Sequence, residues 1–273
     1  MNMTSKYKRI VVKIGTSSII NSDNSINMKT IHTLSSVLSQ LNQSGHEVIL
    51  VTSGAVGVGM NTIGLKTRPT DIGKLQALSA IGQSELMDLY SDSFKESDQT
   101  VAQLLLTRDV VDYPKSSENV LKTINTLLDD KVVPIINEND AVSVDEFNHQ
   151  TSFGENDQLA AIVTNFVDAD LLIILSDIDG LFDDNPKDNP NAKLLSWVPE
   201  ISDDLMQVAG GHGSQYGTGG MQTKLNAAKI ILDNHRKMAI LNGDDPAIIN
   251  DFISGRPVGT YFGAEAMEGR TNE

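Results

Sequence analysis

The run Arg9-Ile10-Val11-Val12-Lys13-Ile14 is an apolar, β-branched stretch that leads into the small residues Gly15-Thr16-Ser17-Ser18. β-Branched side chains pack well on a pleated surface, so this run predicts a buried strand. Similar runs recur between longer segments of helical period, and this alternation indicates an α/β fold with a mainly parallel sheet covered by helices on both faces. The predicted strands are Arg9 to Ile14, Glu47 to Thr52, Thr100 to Leu106, Val132 to Asn137, Leu171 to Leu175 and Met238 to Leu241, with Val258 to Phe262 at an edge.

The segments between these strands predict helices at Met28 to Ser44, Asp71 to Glu96, Ser117 to Asp130, Asn156 to Val167, Ile201 to Val208, Met221 to Asn234 and Pro246 to Ser254. Two stretches break the pattern, because 176–200 is rich in Asp, Asn and Pro and 210–220 is rich in glycine. Both are predicted loops, and loops of this length are usually functional. One domain is expected over residues 1–273, with loosely ordered tails at 1–7 and 264–273.

The composition excludes several classes of protein. A chain of 273 residues can bury a large core. Its formal net charge of -15 repels polyanions, so neither nucleic acid nor an anionic membrane surface is expected as a partner. The absence of cysteine rules out disulfide scaffolds and thiolate metal sites. Lys13 and Gly15 break the first apolar stretch, which is too short for a signal sequence or a membrane span, and a cytoplasmic location is expected.

Ligands of an open parallel sheet bind beyond the carboxyl ends of its strands, so the residues that follow each strand are the candidates. Lys13 ends the first strand, and a lysine in an apolar strand is costly unless it is paired or solvated. The alternative is a lysine that reaches solvent from an edge strand. The turn Ser53-Gly54-Ala55 after the second strand could present free helix amides to a ligand, or it could be only a tight corner between strand and helix.

Polar residues cluster after the fourth strand and before the next helix. Asn137-Glu138-Asn139-Asp140 is longer than a solvated turn needs, which favours a cluster that binds an amino group or a hydroxyl. Asn156 and Asp157 open an apolar helix, where they could cap it, bind a ligand or do both. Ser176 and Asp177 follow the most apolar strand and suit a nucleotide or the shell of its metal.

The stretch Gly217-Thr218-Gly219-Gly220-Met221-Gln222-Thr223-Lys224 is the most specific signal. Glycines before a helix let backbone amides surround a polyphosphate, and Lys224 lies about one turn into that helix, from which it can reach the transferred group. The chain contains no G-x-x-x-x-G-K-[ST] or G-x-G-x-x-G motif. P-loop and dinucleotide-binding interpretations therefore lose support.

Taken in order, these motifs closely resemble the amino acid kinase family, and within it the members that phosphorylate glutamate. The resemblance covers Lys8 to Phe262. It is most discriminating at Asn137 to Asp140 and Gly217 to Lys224, where members that act on carbamate, acetylglutamate or uridylate differ. The motifs that carry it are Val11 to Thr16, Val51 to Ala55, Pro134 to Asp140, Asn156-Asp157, Ser176-Asp177 and Gly217 to Lys224.

The resemblance implies a three-layer α/β/α sandwich that phosphorylates the side-chain carboxylate of L-glutamate with ATP and Mg²⁺, as the first step of proline biosynthesis. It implies that Lys13 and Lys224 flank the transferred phosphoryl group and that Asp157 orients both, with no protein side chain as metal ligand. The implied substrate-binding residues are Ser53, Gly54, Ala55, Asn137, Asp140 and Asn156. The implied nucleotide-binding residues are Lys13, Gly15, Thr16, Ser176, Asp177, Thr218, Gly219, Gly220, Met221, Gln222, Thr223 and Lys224.

Two features depart from the family pattern. Many members carry an additional C-terminal PUA domain, and a short form without it is expected here. Glu155 stands where the family usually has an aspartate. The resemblance further implies a homo-oligomer, transient contact with glutamyl phosphate reductase and feedback inhibition by proline.

Two alternatives of different kinds stay open at this point. One is a kinase of the same scaffold that acts on another carboxylate, carbamate or phosphate. The other is a sensor that binds ATP or an amino acid without turnover. The lysine pair favours catalysis, and an ionised carboxylate acceptor needs no general base, which fits the lack of a catalytic histidine in the motifs.

Overall fold

The computed structural model describes residues 6–143, 156–186, 188–209, 220–267 and 269. Within these residues, one eight-stranded sheet has the order β3-β4-β2-β1-β5-β7-β8-β6, with only β8 antiparallel to its neighbour β7. The strands, numbered along the chain, are β1 (Arg9–Ile14), β2 (Glu47–Val51), β3 (Val101–Leu106), β4 (Val133–Glu138), β5 (Leu171–Ser176), β6 (Trp197–Val198), β7 (Lys237–Asn242) and β8 (Thr260–Phe262).

Helices cover both faces of the sheet, so the predicted three-layer α/β/α sandwich is confirmed. No helix in the described part of the chain is long and apolar enough to span a membrane. The helices are α1 (Thr16–Ile19), α2 (Met28–Gln43), α3 (Ala55–Thr62), α4 (Ile72–Lys95), α5 (Arg108–Asp112), α6 (Pro114–Asp129), α7 (Asn156–Phe166), α8 (Asp203–Ala209), α9 (Met221–Asp233) and α10 (Ile248–Ile253).

Strand alternation divides the apolar core into two layers. Ile10 and Val12 of β1 face a layer that includes residues of α2, α4 and α10, whereas Val11 faces a layer that includes residues of α6, α7 and α9. Successive side chains of a strand point to opposite faces. Lys13 therefore lies on the same face as Val11, toward α7 and α9.

The structure corrects several details of the prediction. The strand Val258 to Phe262 was expected at an edge, but β8 lies between β7 and β6, and β6 comes from a segment predicted as loop. Apolar partners on both sides of β8 explain its place, since Tyr261 and Phe262 are buried on opposite faces. Tyr7 and Met267 lie within the predicted loose tails, yet both are buried, and the Tyr7 hydroxyl donates to the Met267 sulfur at 3.6 Å.

The strand order makes the end of β1 the expected place for a ligand. From β1 the chain continues to β2 on one side of the sheet, and β5 pairs with β1 on the other. Parallel strands that diverge in this way leave a crevice at their carboxyl ends, where ligands of open α/β sheets bind. Lys13, which pairs with Val51 and Ile174 in the register, lies at this point.

Helices α3 and α4 approach each other through glycine. A methyl group on Gly82 would lie 1.8 Å from the Ala55 carbonyl oxygen and 2.3 Å from the Gly59 nitrogen. Both atoms belong to the backbone and cannot rotate away. Gly59 of α3 and Gly82 of α4 thus let the backbones of the two helices come this close, just after the end of β2.

We expect Gly82→Ala to destabilise the protein by about 1–3 kcal/mol, the usual cost of overpacking a core. Gly73→Ala on the same helix is the matched control, because its methyl group would meet only the Asp71 Oδ1 at 3.6 Å. The control should change stability by less than about 1 kcal/mol, in the stabilising direction. Urea unfolding of both variants measures the difference, and equal stabilities would show that the close approach is unimportant.

Candidate active site

Two lysines from distant parts of the chain meet at one buried carboxylate. Lys13 Nζ lies 2.6 Å from Asp157 Oδ1, and Lys224 Nζ lies 3.1 Å from Asp157 Oδ2. All three side chains are almost fully buried, at 8%, 7% and 1% side-chain exposure for Lys13, Lys224 and Asp157. The alternative of a lysine that reaches solvent from an edge strand is wrong, because β1 lies inside the sheet.

Local sequence explains why these groups meet. Asp157 is the second residue of α7, and Lys224 is the fourth residue of α9, so both lie in the first turn of a helix that packs on the Lys13 face of the sheet. Helix N termini carry partial positive charge and unsatisfied amides. Together with two ammonium groups, they make this edge of the sheet a favourable place for an anion.

Asp157 stays ionised in this setting. Burial alone would raise the pKa of Asp157, but the charges of Lys13 and Lys224, with hydrogen bonds from Lys13 and Thr223, hold it below its ordinary value. The Thr223 hydroxyl lies 2.9 Å from Asp157 Oδ2. Asp157 therefore acts as a fixed anchor for both ammonium groups.

Several of the predicted nucleotide-binding residues lie at or near the start of α9. A methyl group on Gly15 would lie 3.3 Å from Lys13 Nζ, so the glycine leaves room beside the ammonium group. Gly220 is the N-cap of α9 and provides no side chain to satisfy the first amides of that helix. Met221 and Gln222 begin the helix, while Thr218 and Gly219 lie outside the described residues.

Ser176 and Asp177 lie at the end of β5, next to β7. Ser176 is buried, Asp177 is exposed, and their side chains contact at 3.2 Å. The Ser176 carbonyl accepts from the Gly243 amide at 2.6 Å. A methyl group on Gly243 would lie 3.3 Å from the Ser18 hydroxyl, which follows Thr16 in α1. The predicted nucleotide residues on both sides of β5 therefore border one edge of the sheet.

A second polar group lies at the ends of β2 and β4. Asn156 Nδ2 donates to the Thr52 carbonyl at 2.9 Å and to the Ser53 hydroxyl oxygen at 2.5 Å. It also lies 3.3 Å from Asn137 Oδ1. Gly54 adopts φ +95°, a left-handed conformation that favours glycine, and so turns the chain directly into α3 at Ala55.

Asp140 lies beside this group and is tied to α4. The Ser79 hydroxyl donates to Asp140 Oδ2 at 2.9 Å. Burial raises the pKa of Asp140, although the Ser79 hydrogen bond and the charge of Arg68 oppose the increase. A partner cation would relieve the cost of keeping this carboxylate charged.

The hydrogen bonds determine which way the Asn156 side-chain amide faces. The Thr52 carbonyl can only accept, so the nitrogen of Asn156 faces the strand ends and its oxygen faces the opposite way. Because the Ser53 oxygen accepts from Asn156, its own hydrogen can be donated to a ligand. A hydroxyl donor, an amide oxygen and a carboxylate near the ends of β2 and β4 suit a small molecule that carries both a carboxylate and an ammonium group.

The sequence predicted most of these residues. The structure places Lys13, Asp157 and Lys224 together, and it joins Ser53, Asn137 and Asn156 in a second network. Sequence reasoning missed Ser79 and Gln83 of α4. Their signal was a pair of polar residues spaced by four on a helix with an apolar face, which also fits an ordinary solvated surface.

The donor set fits a metal ion that arrives with a nucleotide. Among the described residues, no group of three or more His, Asp or Glu side chains could hold a metal ion. Mg²⁺ is usually held by one or two carboxylates together with substrate phosphates. Asp157 already contacts two lysines, whereas Asp177 is an exposed carboxylate among the predicted nucleotide-binding residues and would be available to such an ion.

The chain is similar to characterised kinases over nearly its whole length. The sequence profile of the amino acid kinase family matches residues 8–242. A glutamate 5-kinase of Lactococcus lactis subsp. lactis (strain IL1403) is 56% identical over 255 residues, covering 93% of this chain and 94% of that protein. A glutamate 5-kinase of Enterococcus faecalis (strain ATCC 700802 / V583) is 51% identical over 261 residues, covering 96% of each.

Solved structures show the same architecture. Carbamate kinase from Giardia lamblia bound to AMP-PNP superposes with a TM-score of 0.66 and 16% identity, covering 96% of this chain and 100% of that one. The product complex of T. acidophilum isopentenyl phosphate kinase superposes with a TM-score of 0.63 and 15% identity, covering 93% and 99%. At such low identity, the likeness establishes the fold alone.

Proposed function

The chain belongs to the amino acid kinase family, and from this premise we propose that it phosphorylates the side-chain carboxylate of L-glutamate with ATP. The products are L-glutamyl 5-phosphate and ADP. The observation that carries the proposal is the contact of Lys13 and Lys224 with the two oxygens of the buried Asp157. This arrangement holds two cations at a fixed separation on a crevice where phosphates bind.

The reaction needs no general base. A glutamate carboxylate is ionised at neutral pH, so one of its oxygens attacks the γ-phosphorus directly. A bond forms between that oxygen and phosphorus, and the bond from phosphorus to the bridging oxygen breaks. ADP leaves with the electron pair. The main barrier is the approach of two anions, together with the charge on the transferred group.

Lys13 and Lys224 lower this barrier electrostatically. Donors that are already oriented toward the developing charge stabilise a transition state without reorganising during the reaction. Asp157 keeps both ammonium groups in place, and the amides that follow Gly15 and Gly220 bind phosphate oxygens. Mg²⁺, when bound with ATP, neutralises phosphate charge, and Asp177 with Ser176 would contact its shell.

The nucleotide and the acceptor occupy neighbouring sites in this proposal. ATP lies along the residues predicted from the sequence, including those outside the described ranges. For glutamate, Asp140 and the Asn156 oxygen bind the ammonium group, while Ser53 and the first amides of α3 bind a carboxylate. Asn137 holds Asn156 in position. Gly54 and Ala55 complete the acceptor site. The proposed nucleotide-binding residues are Lys13, Gly15, Thr16, Ser176, Asp177, Thr218, Gly219, Gly220, Met221, Gln222, Thr223 and Lys224.

An acceptor panel tests the function. ADP release is measured with glutamate, acetylglutamate, aspartate, carbamate and UMP, and the acyl phosphate is trapped with hydroxylamine as a hydroxamate. We expect ADP release and hydroxamate only with glutamate. Activity confined to another acceptor would replace glutamate with that compound. Calorimetric binding of ATP and glutamate without turnover would instead support a sensor.

Asp140→Asn should separate stability from binding. Burial raises the pKa of Asp140, so the ionised carboxylate weakens folding at neutral pH when no ammonium group is bound, and a neutral amide removes that cost. We expect a higher Tm without ligand and a weaker glutamate affinity. Thermal unfolding with and without glutamate measures both. A lower Tm in the unliganded variant would contradict the burial argument.

The metabolic pathway, the assembly of several copies and the cellular location belong to the same proposal. Glutamyl phosphate is a reactive acyl phosphate, which favours rapid handover to a reductase in proline biosynthesis. Large apolar side chains exposed around α3 and α4, such as Ile63, Ile72 and Ile81, favour assembly with further copies of the chain. A cytoplasmic location, where ATP is supplied, completes the assignment.

A further inference from the structure

We infer that Gln83 of α4 is a positioning residue for the amino acid acceptor, because its side-chain oxygen accepts from the Asn137 nitrogen and so stabilises the orientation that the Glu138 backbone amide favours for this side chain. The inference rests on the proposed function and adds a residue to it. Asn137 Nδ2 donates to Gln83 Oε1 at 2.8 Å, and both side chains are buried. Gln83 is not adjacent to any motif at a strand end.

One unambiguous donor identifies the oxygen and the nitrogen of the Asn137 side-chain amide. The Glu138 backbone amide donates to Asn137 Oδ1 at 2.9 Å, so the oxygen of this side chain faces Glu138. Its nitrogen must then face Gln83, whose oxygen accepts. If the Asn137 amide turned over, its nitrogen would meet the Glu138 amide and the nitrogen of Asn156, and three donors would face one another.

The orientation passes from Asn137 to the acceptor site. Asn137 Oδ1 lies 3.3 Å from Asn156 Nδ2, the group that also contacts Ser53. A correctly turned Asn137 therefore keeps the Asn156 oxygen directed at the ligand and the Ser53 hydrogen available. Gln83 acts on the substrate through two intermediate amides and does not touch it.

A second observation distinguishes Gln83 from an ordinary core residue. Its Nε2 is buried and has no hydrogen-bond partner among the residues that the structure describes. A buried donor without a partner lowers stability, so a glutamine at this position is unfavourable for folding unless its oxygen is needed. Ser79, one turn earlier on the same face of α4, donates to Asp140. The two side chains form a polar stripe beneath the acceptor site.

The test is the kinetics and stability of Gln83→Leu, with Gln83→Met as a second variant of similar length in case leucine is not accommodated. We expect the KM for glutamate to rise about tenfold, which corresponds to the loss of about one hydrogen bond. The KM for ATP and kcat should change by less than about threefold, as for the loss of a binding interaction alone. The Tm should change little, because the substitution removes the unpaired Gln83 donor but also removes the acceptor of the buried Asn137 nitrogen, and the two effects oppose each other.

Ser93→Ala is the matched control, because Ser93 is another buried residue of α4 whose hydroxyl has no partner among the described residues. It should leave the KM for glutamate unchanged. An unchanged KM for glutamate in both folded Gln83 variants would overturn the inference, and so would a fall in Tm with equal rises in both KM values. If the wild type forms no ADP with glutamate, the proposed function fails and this inference fails with it.

Discussion

Lys224→Met should lower kcat by a factor of about 10²–10³, or ~2.7–4 kcal/mol, as expected when one preorganised electrostatic donor is removed from a transition state. Methionine keeps the apolar stem of the side chain and removes only the charge. Because Lys224 acts mainly on the charge that develops during transfer, the KM for glutamate should change far less than kcat. Lys13→Met should have an effect of the same order, since Lys13 contacts the other oxygen of Asp157.

Lys229→Met is the control for this prediction. Lys229 lies on the same helix, but its side chain is 59% exposed and it pairs with Asp233 at 3.7 Å near the end of α9. Steady-state kinetics of ADP release should show normal turnover for this variant. If Lys224→Met retained normal kcat with an intact circular dichroism spectrum, the electrostatic role of the lysine pair would be wrong.

Asp157→Asn should lower the free energy of unfolding by about 3–5 kcal/mol, the usual loss when one partner of a buried ion pair is removed. The loss arises because two buried ammonium groups no longer have the carboxylate that both contact. Urea unfolding at pH 7 measures it. Asp233→Asn is the control, because this exposed carboxylate belongs to a surface pair and such pairs contribute about 0–1 kcal/mol.

The contribution of Asp157 to the free energy of unfolding should also depend on pH. The pKa of Asp157 is lower in the folded protein than its ordinary value, so the folded state binds this proton less tightly than the unfolded state. The stabilisation is therefore complete above the unfolded pKa of about 3.9 and is lost as the pH falls through the folded pKa. The difference in stability between the wild type and Asp157→Asn should shrink below about pH 4. A constant difference from pH 7 down to acid unfolding would contradict this assignment.

Periodicity was sufficient to predict the strands that form the core and the candidate residues that follow them. Val11, Ile49 and Val51 alternate with residues of the opposite face, and such alternation is local information that a sequence carries directly. The irregular parts were harder to predict. β6 lies in an Asp- and Pro-rich segment, and it pairs with β8 only because the chain returns to that edge.

The sequence by itself determined the α/β class, the family resemblance and the charged residues at the strand ends, because each depends on neighbours in the chain. The resemblance already implied that Asp157 orients Lys13 and Lys224, but only the tertiary structure showed that each lysine contacts a different oxygen of this buried carboxylate and that Gln83 bonds to Asn137. Those contacts depend on strand order and on the close approach of α3 and α4 at Gly82. Pairings between distant segments are set by how the whole chain packs, which no local pattern encodes.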